Sequence, residues 1–132
     1  MRYPDKPAVV YGIRCKTTGR IYIGCSSVVD ARVSSHFSEL KNGYKTKQAR
    51  IDGKLARIPT EWAEDYQKYG RDDFEVYILE QEIPVEKRKE RENFWIEKYR
   101  ATDPRFGYNL LSERRRAKYD GMIFGQPPLP EE

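Results

Sequence analysis

The first two apolar segments of the chain alternate with polar positions in the manner of β-strands. Val9–Ile13 and Ile21–Ile23 are short and rich in β-branched and aromatic residues, which favour strands. Between them, Lys16–Gly19 carries a turn signal that ends in glycine, a residue that tolerates positive φ. The pattern therefore predicts a β-hairpin near the N-terminus.

The register of this hairpin would place two tyrosines on one face. A symmetric turn opposes Ile13 to Tyr22 and Tyr11 to Gly24. Because side chains alternate along a strand, Tyr11 and Tyr22 then project from the same face, diagonal to each other. Gly24 leaves that end of the face open, and we therefore expect it to be a structural position of the site.

Helical periodicity governs three later segments. The first is Val28–Lys41, whose apolar stripe stops at the helix-ending signal of Gly43. The second is Pro59–Tyr69, which we expect to open at its proline and to end at Gly70. The third and longest runs from about Pro84 to Tyr99. These three segments are predicted to be helices.

Two of the predicted helices place polar groups next to apolar stripes. Arg32 and His36 are one turn apart and flank the stripe of the first helix rather than facing open water. Glu92 lies on the stripe of the third helix, together with Trp95 and Ile96. A buried carboxylate is costly unless it has a partner. Glu92 is thus either half of a structural ion pair with Arg32 or a functional group.

The remaining segments complete the predicted fold. Phe74–Leu79 alternates loosely and predicts a third strand, whereas Lys45–Ile58 has no clean period and is interpreted as a basic loop. Residues 108–111 form a short apolar return. The order β-β-α-α-β-α predicts an α+β domain, with a small three-stranded antiparallel sheet flanked by helices, over residues 1–111. Residues 112–132 are basic and then proline-rich, which is typical of a tail or linker.

Composition narrows the class of protein. The 132 residues fit one domain, and 13% aromatic residues supply a core despite 35% charged residues. No apolar run approaches the roughly 20 residues that cross a bilayer, so we expect a cytoplasmic protein without a membrane partner. Cys15 and Cys25 are too few for a disulfide scaffold or a zinc site, and a single histidine excludes two-histidine mechanisms.

The positive charge is clustered, although the net charge is only +4. Six cationic side chains and one carboxylate lie between Lys41 and Arg57, and a second basic cluster follows at Arg114–Lys118. Segregated positive charge indicates an anionic partner, most simply nucleic acid, although solvated basic loops would show the same pattern. The residues expected to bind DNA are Lys45, Lys47, Arg50, Arg114, Arg115 and Arg116.

The spacing of the candidate residues resembles that of a known nuclease family. Tyr11, then Tyr22-Ile23-Gly24, then Arg32 and His36 follow the order of the GIY-YIG nucleases. The first motif departs from the family name, because Val9-Val10-Tyr11 stands in place of Gly-Ile-Tyr. The second motif matches in full.

The resemblance continues downstream and extends from about Ala8 to Leu111. Glu90–Ile96 is similar to the helix that carries the metal-binding glutamate in phage intron-encoded homing endonucleases of this family. Gly107-Tyr108-Asn109 is similar to their closing Gly-Tyr-Asn. Lys45 stands near the position where some members place a second histidine.

The resemblance implies a metal-dependent endonuclease that hydrolyses double-stranded DNA in a bacterial or phage-infected cell. Glu92 would bind Mg²⁺ or Mn²⁺, Arg32 would bind the scissile phosphate, and Tyr11 would orient or deprotonate the attacking water. Tyr22 would contact the phosphate or the nucleophile. The implied catalytic residues are Tyr11, Tyr22, Arg32, His36, Glu92 and Asn109.

Two other functions remain open from the sequence. The chain could be a DNA-binding module that keeps the fold without cleaving, or a repair-type nuclease that nicks DNA. The Glu90–Ile96 match favours the homing type. Homing enzymes of this kind append a DNA-reading domain, for which the stretch after Asn109 is too short. We therefore expect this chain alone to cleave with low sequence selectivity or with a short preference of a few bases, unless a separate targeting domain or protein partner supplies more.

Overall fold

Five strands and three α-helices form the part of the chain that the structure, a computed structural model, describes, namely residues 6–110. In chain order they are β1 (Ala8–Cys15), β2 (Ile21–Ser26), α1 (Val29–Lys41), β3 (Thr46–Ile51), β4 (Lys54–Pro59), α2 (Glu61–Tyr69), β5 (Phe74–Ile83) and α3 (Arg88–Tyr99). The predicted α+β class is confirmed.

The main sheet is antiparallel and has the strand order β2-β1-β5. Its hairpin has the predicted register: Ile13 opposes Tyr22, and Tyr11 opposes Gly24. The central strand β1 is buried along most of its length because both of its edges are paired and both of its faces are covered. The strand that carries Tyr11 is therefore packed on both faces and hydrogen-bonded along both edges.

Each face of this sheet has its own apolar core. On the face that carries Tyr11 and Tyr22, here called the tyrosine face, the side chains of β1 pack with α1 and α2 around Leu40, Trp62 and Phe74. On the opposite face, the alternate side chains of β1 and β2 pack with Ile83, Trp95 and Ile96, the last two from α3. The sheet thus separates the helix that carries His36 from the helix that carries Glu92.

The outer edge of β2 is covered by the segment that follows α3. Gly107 forms an isolated parallel bridge with Ile21, and Tyr108 donates its backbone N–H to the carbonyl of Ile21. The Asn109 side chain continues this pairing, since its Oδ1 accepts from the backbone N–H of Ile23 and its Nδ2 donates to the Ile23 carbonyl. These bonds occupy an edge that would otherwise present unpaired backbone groups.

The predicted basic loop over Lys45–Ile58 is wrong, because this segment forms the second sheet, a hairpin of β3 and β4. Its turn is Asp52-Gly53, and both residues have positive φ, at 51° and 78°. Asp-Gly between two strands is a strong local signal for a two-residue hairpin turn. The segment was misread because its exposed strands lack the apolar alternation that marks a half-buried sheet.

The helix starts and the third strand also differ from prediction. Pro59 ends β4 instead of opening a helix, and α2 begins after Thr60, whose hydroxyl oxygen accepts a hydrogen bond from the Ala63 N–H at 3.2 Å. Strand β5 is four residues longer than expected and reaches Ile83. After it, a short 3₁₀ turn delays α3 until Arg88. The Thr60 cap, rather than Pro59, fixes the start of α2.

The predicted tail over residues 112–132, with Arg114, Arg115 and Arg116, lies outside the described residues. Within residues 6–110, no helix is both long enough and apolar enough to cross a membrane.

Candidate active site

Tyr11 and Tyr22 meet on the tyrosine face as the hairpin register requires. Their ring centroids are 6.3 Å apart, and Tyr11 is 1% exposed while Tyr22 is half-buried. A methyl group at Gly24 would lie 2.5 Å from Cζ and Oη of Tyr11, closer than carbon and oxygen atoms can approach without displacement. The Tyr11 ring therefore occupies space that only a glycine at position 24 provides.

His36 holds the Tyr11 hydroxyl from the side of α1. Its Nε2 lies 3.1 Å from Tyr11 Oη, and its Nδ1 lies 3.0 Å from the Lys45 ammonium. Since an ammonium group only donates hydrogen bonds, Nδ1 must accept, and Nε2 must carry the proton of the neutral ring. His36 consequently donates to the Tyr11 oxygen, which leaves the proton of Tyr11 to point elsewhere.

Lys45 is placed inside the site rather than on an outer surface. Its ammonium forms a 2.7 Å ion pair with Glu39 and stands 4.9 Å from the ring centroid of Trp62. Its side chain is only 19% exposed. The lysine that was expected to contact DNA from a loop instead fixes the orientation of His36, so any contact with DNA would occur at the site itself.

Burial and its cationic neighbours keep His36 neutral. Desolvation, with the positive charges of Lys45 and Arg32, lowers the pKa of His36 to about 4, against a small opposing effect of Glu39. The ring is 3% exposed, in agreement with this direction. At neutral pH His36 thus acts as a hydrogen-bond donor without charge.

Arg32 from α1 and Glu92 from α3 both act on the two tyrosines by their charge. Burial raises the pKa of Tyr11 above its ordinary value, Tyr22 and Glu92 raise it further, and the Arg32 guanidinium lowers it by its charge and by a hydrogen bond. Burial and the Glu92 carboxylate likewise raise the pKa of Tyr22, and Arg32 opposes them. The five predicted residues Tyr11, Tyr22, Arg32, His36 and Glu92 are therefore brought together.

Two of these residues are more accessible than the sequence indicated. Arg32 is exposed, although it was expected to avoid open water, and only His36 of that pair is buried. Glu92 is half-buried, and α3 has no fully buried residue; Tyr99, at the end of the expected stripe, is 40% exposed. The helix α3 packs chiefly against β2, which is an edge strand of the main sheet, and this position leaves its side chains partly accessible.

The donor set fits a hard divalent cation that keeps most of its water. Among residues 6–110, no three His, Cys, Asp or Glu side chains converge to form a protein-only metal cage. Glu92 supplies one half-buried carboxylate beside the two tyrosines. Mg²⁺ is commonly held by one or two carboxylates together with water and substrate phosphates, which is what this set offers.

Asn109 is placed differently from the other five. Both polar groups of its side chain are used on the backbone of Ile23, next to Tyr22. It also borders a cleft of about 250 Å³ whose lining includes Tyr22, Lys45 and Trp62. The geometry therefore assigns Asn109 a positioning role at the edge of the site.

Trp62 is also a residue of the site, although its place in the sequence indicated only an apolar position of a helix. Its indole stacks on Tyr22 at 4.7 Å and on Tyr108 at 5.5 Å between ring centroids. It is 3% exposed, and its Nε1 has no hydrogen-bond partner among the described residues. No local signal marks this role, because the three rings come from distant segments of the chain.

A buried carboxylate on α2 was also missed. Asp65 is 6% exposed, accepts a 2.6 Å hydrogen bond from the Tyr108 hydroxyl and forms a 3.0 Å ion pair with Arg20. Burial and Asp65 together raise the pKa of Tyr108. These bonds connect α2 to the segment that covers the edge of β2. Asp65 therefore stabilises the position of Tyr108 next to the cleft.

The other cations expected to bind DNA separate into two groups. Lys47 is engaged with Glu61 at 2.7 Å, whereas Arg50 is exposed and bonds only the carbonyl of Gly53 near the hairpin turn within the described part of the chain.

A tyrosine pair on a three-stranded antiparallel sheet, with an arginine and a histidine from one helix and a glutamate from another, defines a nuclease-type site. The model of the GIY-YIG catalytic domain matches residues 7–109, and the chain belongs to this family. It is a GIY-YIG nuclease domain.

Solved structures similar to this chain agree with that membership. A variant of the catalytic domain of intron endonuclease I-TevI is 27% identical with a TM-score of 0.59, over 78% of this chain and 92% of that chain. The catalytic domain of homing endonuclease I-TevI is 26% identical with a TM-score of 0.59, over 80% and 99%. No curated protein matches the chain.

Proposed function

We propose that this protein is a metal-dependent endonuclease that hydrolyses phosphodiester bonds of double-stranded DNA, in the manner of a homing endonuclease catalytic domain. The observation that supports this most strongly is the cluster around the Tyr11 hydroxyl, where His36 Nε2 lies 3.1 Å from the oxygen, the Tyr22 ring packs beside it, and Arg32 and Glu92 both act by their charge. This arrangement offers, within one site, a cation for a phosphate, a carboxylate for a metal and a phenol for water.

Arg32 is assigned to the scissile phosphate. Its guanidinium is exposed at the surface and yet close enough to lower the pKa of Tyr11 by its charge, so it can hold a phosphate next to the phenol. A planar guanidinium binds phosphate oxygens through two parallel bonds and stabilises the charge that grows on them in the transition state.

Tyr11 is assigned to orient the attacking water or, as a phenolate whose own proton has passed to solvent, to accept a proton from it. Burial opposes its ionisation, so a phenolate here requires stabilisation from its neighbours. Arg32 provides charge, and His36 provides a donated hydrogen bond from Nε2. Lys45 keeps His36 in the tautomer that can donate. These residues together favour the charged form of Tyr11 at the moment of proton transfer.

Glu92 would hold the metal ion, Mg²⁺ or Mn²⁺. When bound there, the ion would supply charge stabilisation to the phosphate oxygens and help to position the nucleophilic water. Tyr22, half-buried between Tyr11 and Trp62, would contact the phosphate or the water, and Asn109 would keep β2 in place beneath it.

The remaining expectations are also proposals. The nuclease domain would span residues 1–111, with residues 112–132 as a tail or linker whose Arg114, Arg115 and Arg116 add phosphate contacts. The protein would act on DNA inside a bacterial or phage-infected cell, together with a separate targeting domain or a protein partner. A non-cleaving DNA-binding module is the less supported alternative, because all six expected site residues are retained.

The experiment that tests the proposal is plasmid cleavage with and without Mg²⁺. We expect nicked or linear products only with the ion, and none from Glu92→Ala. Glu90→Ala is the matched control, because it removes the same charge from an exposed position on the same helix. Both variants should stay folded and retain DNA binding. Unchanged Mg²⁺-dependent cleavage by Glu92→Ala would refute the assignment of the metal ligand, and the absence of any cleavage by the wild type would refute the endonuclease.

A further inference from the structure

The second sheet, here called the ribbon (Thr46–Pro59), has two unlike faces. Its register opposes Gln48 to Arg57 and Arg50 to Leu55, so these four side chains share one face. All four are exposed. We call this the outer face of the ribbon.

The opposite face is half-buried except next to the turn. Lys47, Ala49, Ala56 and Ile58 are half-buried there, whereas Ile51 and Lys54, beside the turn, are exposed. Lys47 is held by Glu61 at the start of α2, 2.7 Å away. The ribbon is thus anchored to the domain by one face and exposes the other to solvent.

The ribbon starts and ends at the catalytic cleft. Lys45, directly before β3, contacts His36, and Thr60, directly after β4, donates its backbone N–H to the Lys45 carbonyl at 3.0 Å. Lys45 and Thr60 both line the cleft. A duplex with a phosphate at Tyr11 and Arg32 therefore passes beside the ribbon.

Charge and shape of the ribbon match a nucleic-acid groove. The ribbon contains four cationic side chains and a single carboxylate, Asp52. The cations are Lys47, Arg50, Lys54 and Arg57. A two-stranded β-ribbon fits the major groove, which is about 12 Å wide, and six residues per strand extend roughly 20 Å along it. A surface of this length and positive charge suits a DNA duplex.

The side chains of the outer face are those that read bases. Arginine pairs with the O6 and N7 atoms of guanine, glutamine with the N6 and N7 atoms of adenine, and an apolar side chain contacts the thymine methyl group. Arg57 is pre-oriented, since its Nε and Nη2 donate to Thr46 Oγ1 at 3.1 and 3.0 Å. Arg50 is oriented by its bond to Gly53 O at 3.0 Å.

We propose that the outer face of the ribbon, formed by Gln48, Arg50, Leu55 and Arg57, enters the major groove beside the cut and gives the enzyme a short base preference at a fixed distance from the cleaved bond. The proposal rests on the proposed endonuclease function. It assigns this base preference to the nuclease domain itself.

The test is sequencing of cut sites from a library of random duplexes treated with the full chain and Mg²⁺. The variant is Arg50→Gln, and the matched control is Lys54→Gln, which removes the same charge near the same turn but from the opposite face. We expect a preference of a few base pairs in the wild type, a loss of about tenfold or more in discrimination at one of them in Arg50→Gln, and an unchanged preference in Lys54→Gln.

Cut-site profiles of Arg50→Gln and wild type that coincide would overturn the proposal, as would equal changes in both variants, which would indicate phosphate contact alone. Selection of bound duplexes without divalent metal separates this inference from the catalytic one. If the chain never cleaves but binds with a base preference that Arg50→Gln alters, the result supports base recognition by the ribbon and refutes the endonuclease function. If neither variant alters binding, the ribbon contacts another partner, and the proposal that it reads bases is refuted.

Discussion

Two lysines only nine residues apart, Lys45 and Lys54, show how differently the two sheets use the same side chain. Lys45 is fixed by His36, Glu39 and the Trp62 ring, beside the three-stranded sheet. Lys54 is exposed next to the turn of the ribbon. The first lysine orients the hydrogen bond between His36 and Tyr11 because its three neighbours fix its position. The second can contribute only charge, because solvent surrounds it.

The contrast teaches where chemistry and where selectivity can be located. Catalysis needs groups held within a fraction of an ångström, which the buried tyrosine face provides. Groove contact needs accessible donors on a surface that protrudes, which the ribbon provides. We expect substitutions on the tyrosine face to change rate and stability, and substitutions on the ribbon to change mainly the choice of DNA.

The largest effects should come from the groups on the tyrosine face. Tyr11→Phe and Arg32→Ala should each lower the cleavage rate by about 100-fold or more, the usual scale for a positioned proton acceptor or charge stabiliser. Phenylalanine keeps the ring packing, so the variant should unfold at nearly the temperature of the wild type. Single-turnover cleavage at saturating Mg²⁺ measures the effect. Near-normal rates in Tyr11→Phe would return the tyrosines to a purely structural role.

Acid should destabilise the tyrosine face through His36. Its pKa in the folded protein, about 4, lies below the ordinary value of 6.5, so only the unfolded chain binds a proton between these pH values. This contribution to stability is complete above pH 6.5 and is lost as the pH falls towards 4. The loss is at most about 3 kcal/mol, at about 1.4 kcal/mol per pH unit. Urea unfolding of wild type and His36→Gln across this range measures it; parallel pH profiles would contradict it.

Two glycines offer a direct comparison of the sheets. Gly24→Ala drives a methyl group into the Tyr11 ring and should cost about 1–3 kcal/mol of stability, with loss of cleavage. Gly53→Ala meets no atom within 4 Å, and its positive φ should cost only about 1 kcal/mol, with cleavage retained. Thermal unfolding and plasmid cleavage test both. Equal loss of cleavage would show that the ribbon turn belongs to the catalytic site.

The smallest effect on rate concerns Lys45. Lys45→Met removes the donor to His36 Nδ1 and releases the ring to adopt either tautomer, which should lower the rate about tenfold without loss of DNA binding. The ¹⁵N chemical shifts of His36 report the tautomer directly. Lys45→Arg, which keeps a donor, should preserve the wild-type shifts. A Lys45→Met variant with reduced affinity and unchanged His36 shifts would instead make Lys45 a phosphate contact.

Much of the tyrosine face follows from local sequence. The register that opposes Tyr11 to Gly24 was predictable because a short turn fixes the pairing and apolar alternation fixes the faces. The ribbon was missed for the same physical reason: its exposed strands lack apolar alternation, and Asp52-Gly53 was the one signal that indicated it. The start of α2 was misplaced because a proline was given more weight than the Thr60 cap.

The sequence by itself determined the strands of the main sheet, the three helices and the residue types that the chemistry requires, since these depend on neighbours along the chain. Only the tertiary structure decided that Lys45 orients His36, that Asn109 pairs with the backbone of Ile23, 86 residues earlier, and that Glu92 acts on Tyr22 from a distant segment of the chain. These contacts depend on how the helices and the last segment pack around the sheet, and no short-range pattern encodes the distance between residues that lie far apart in the chain.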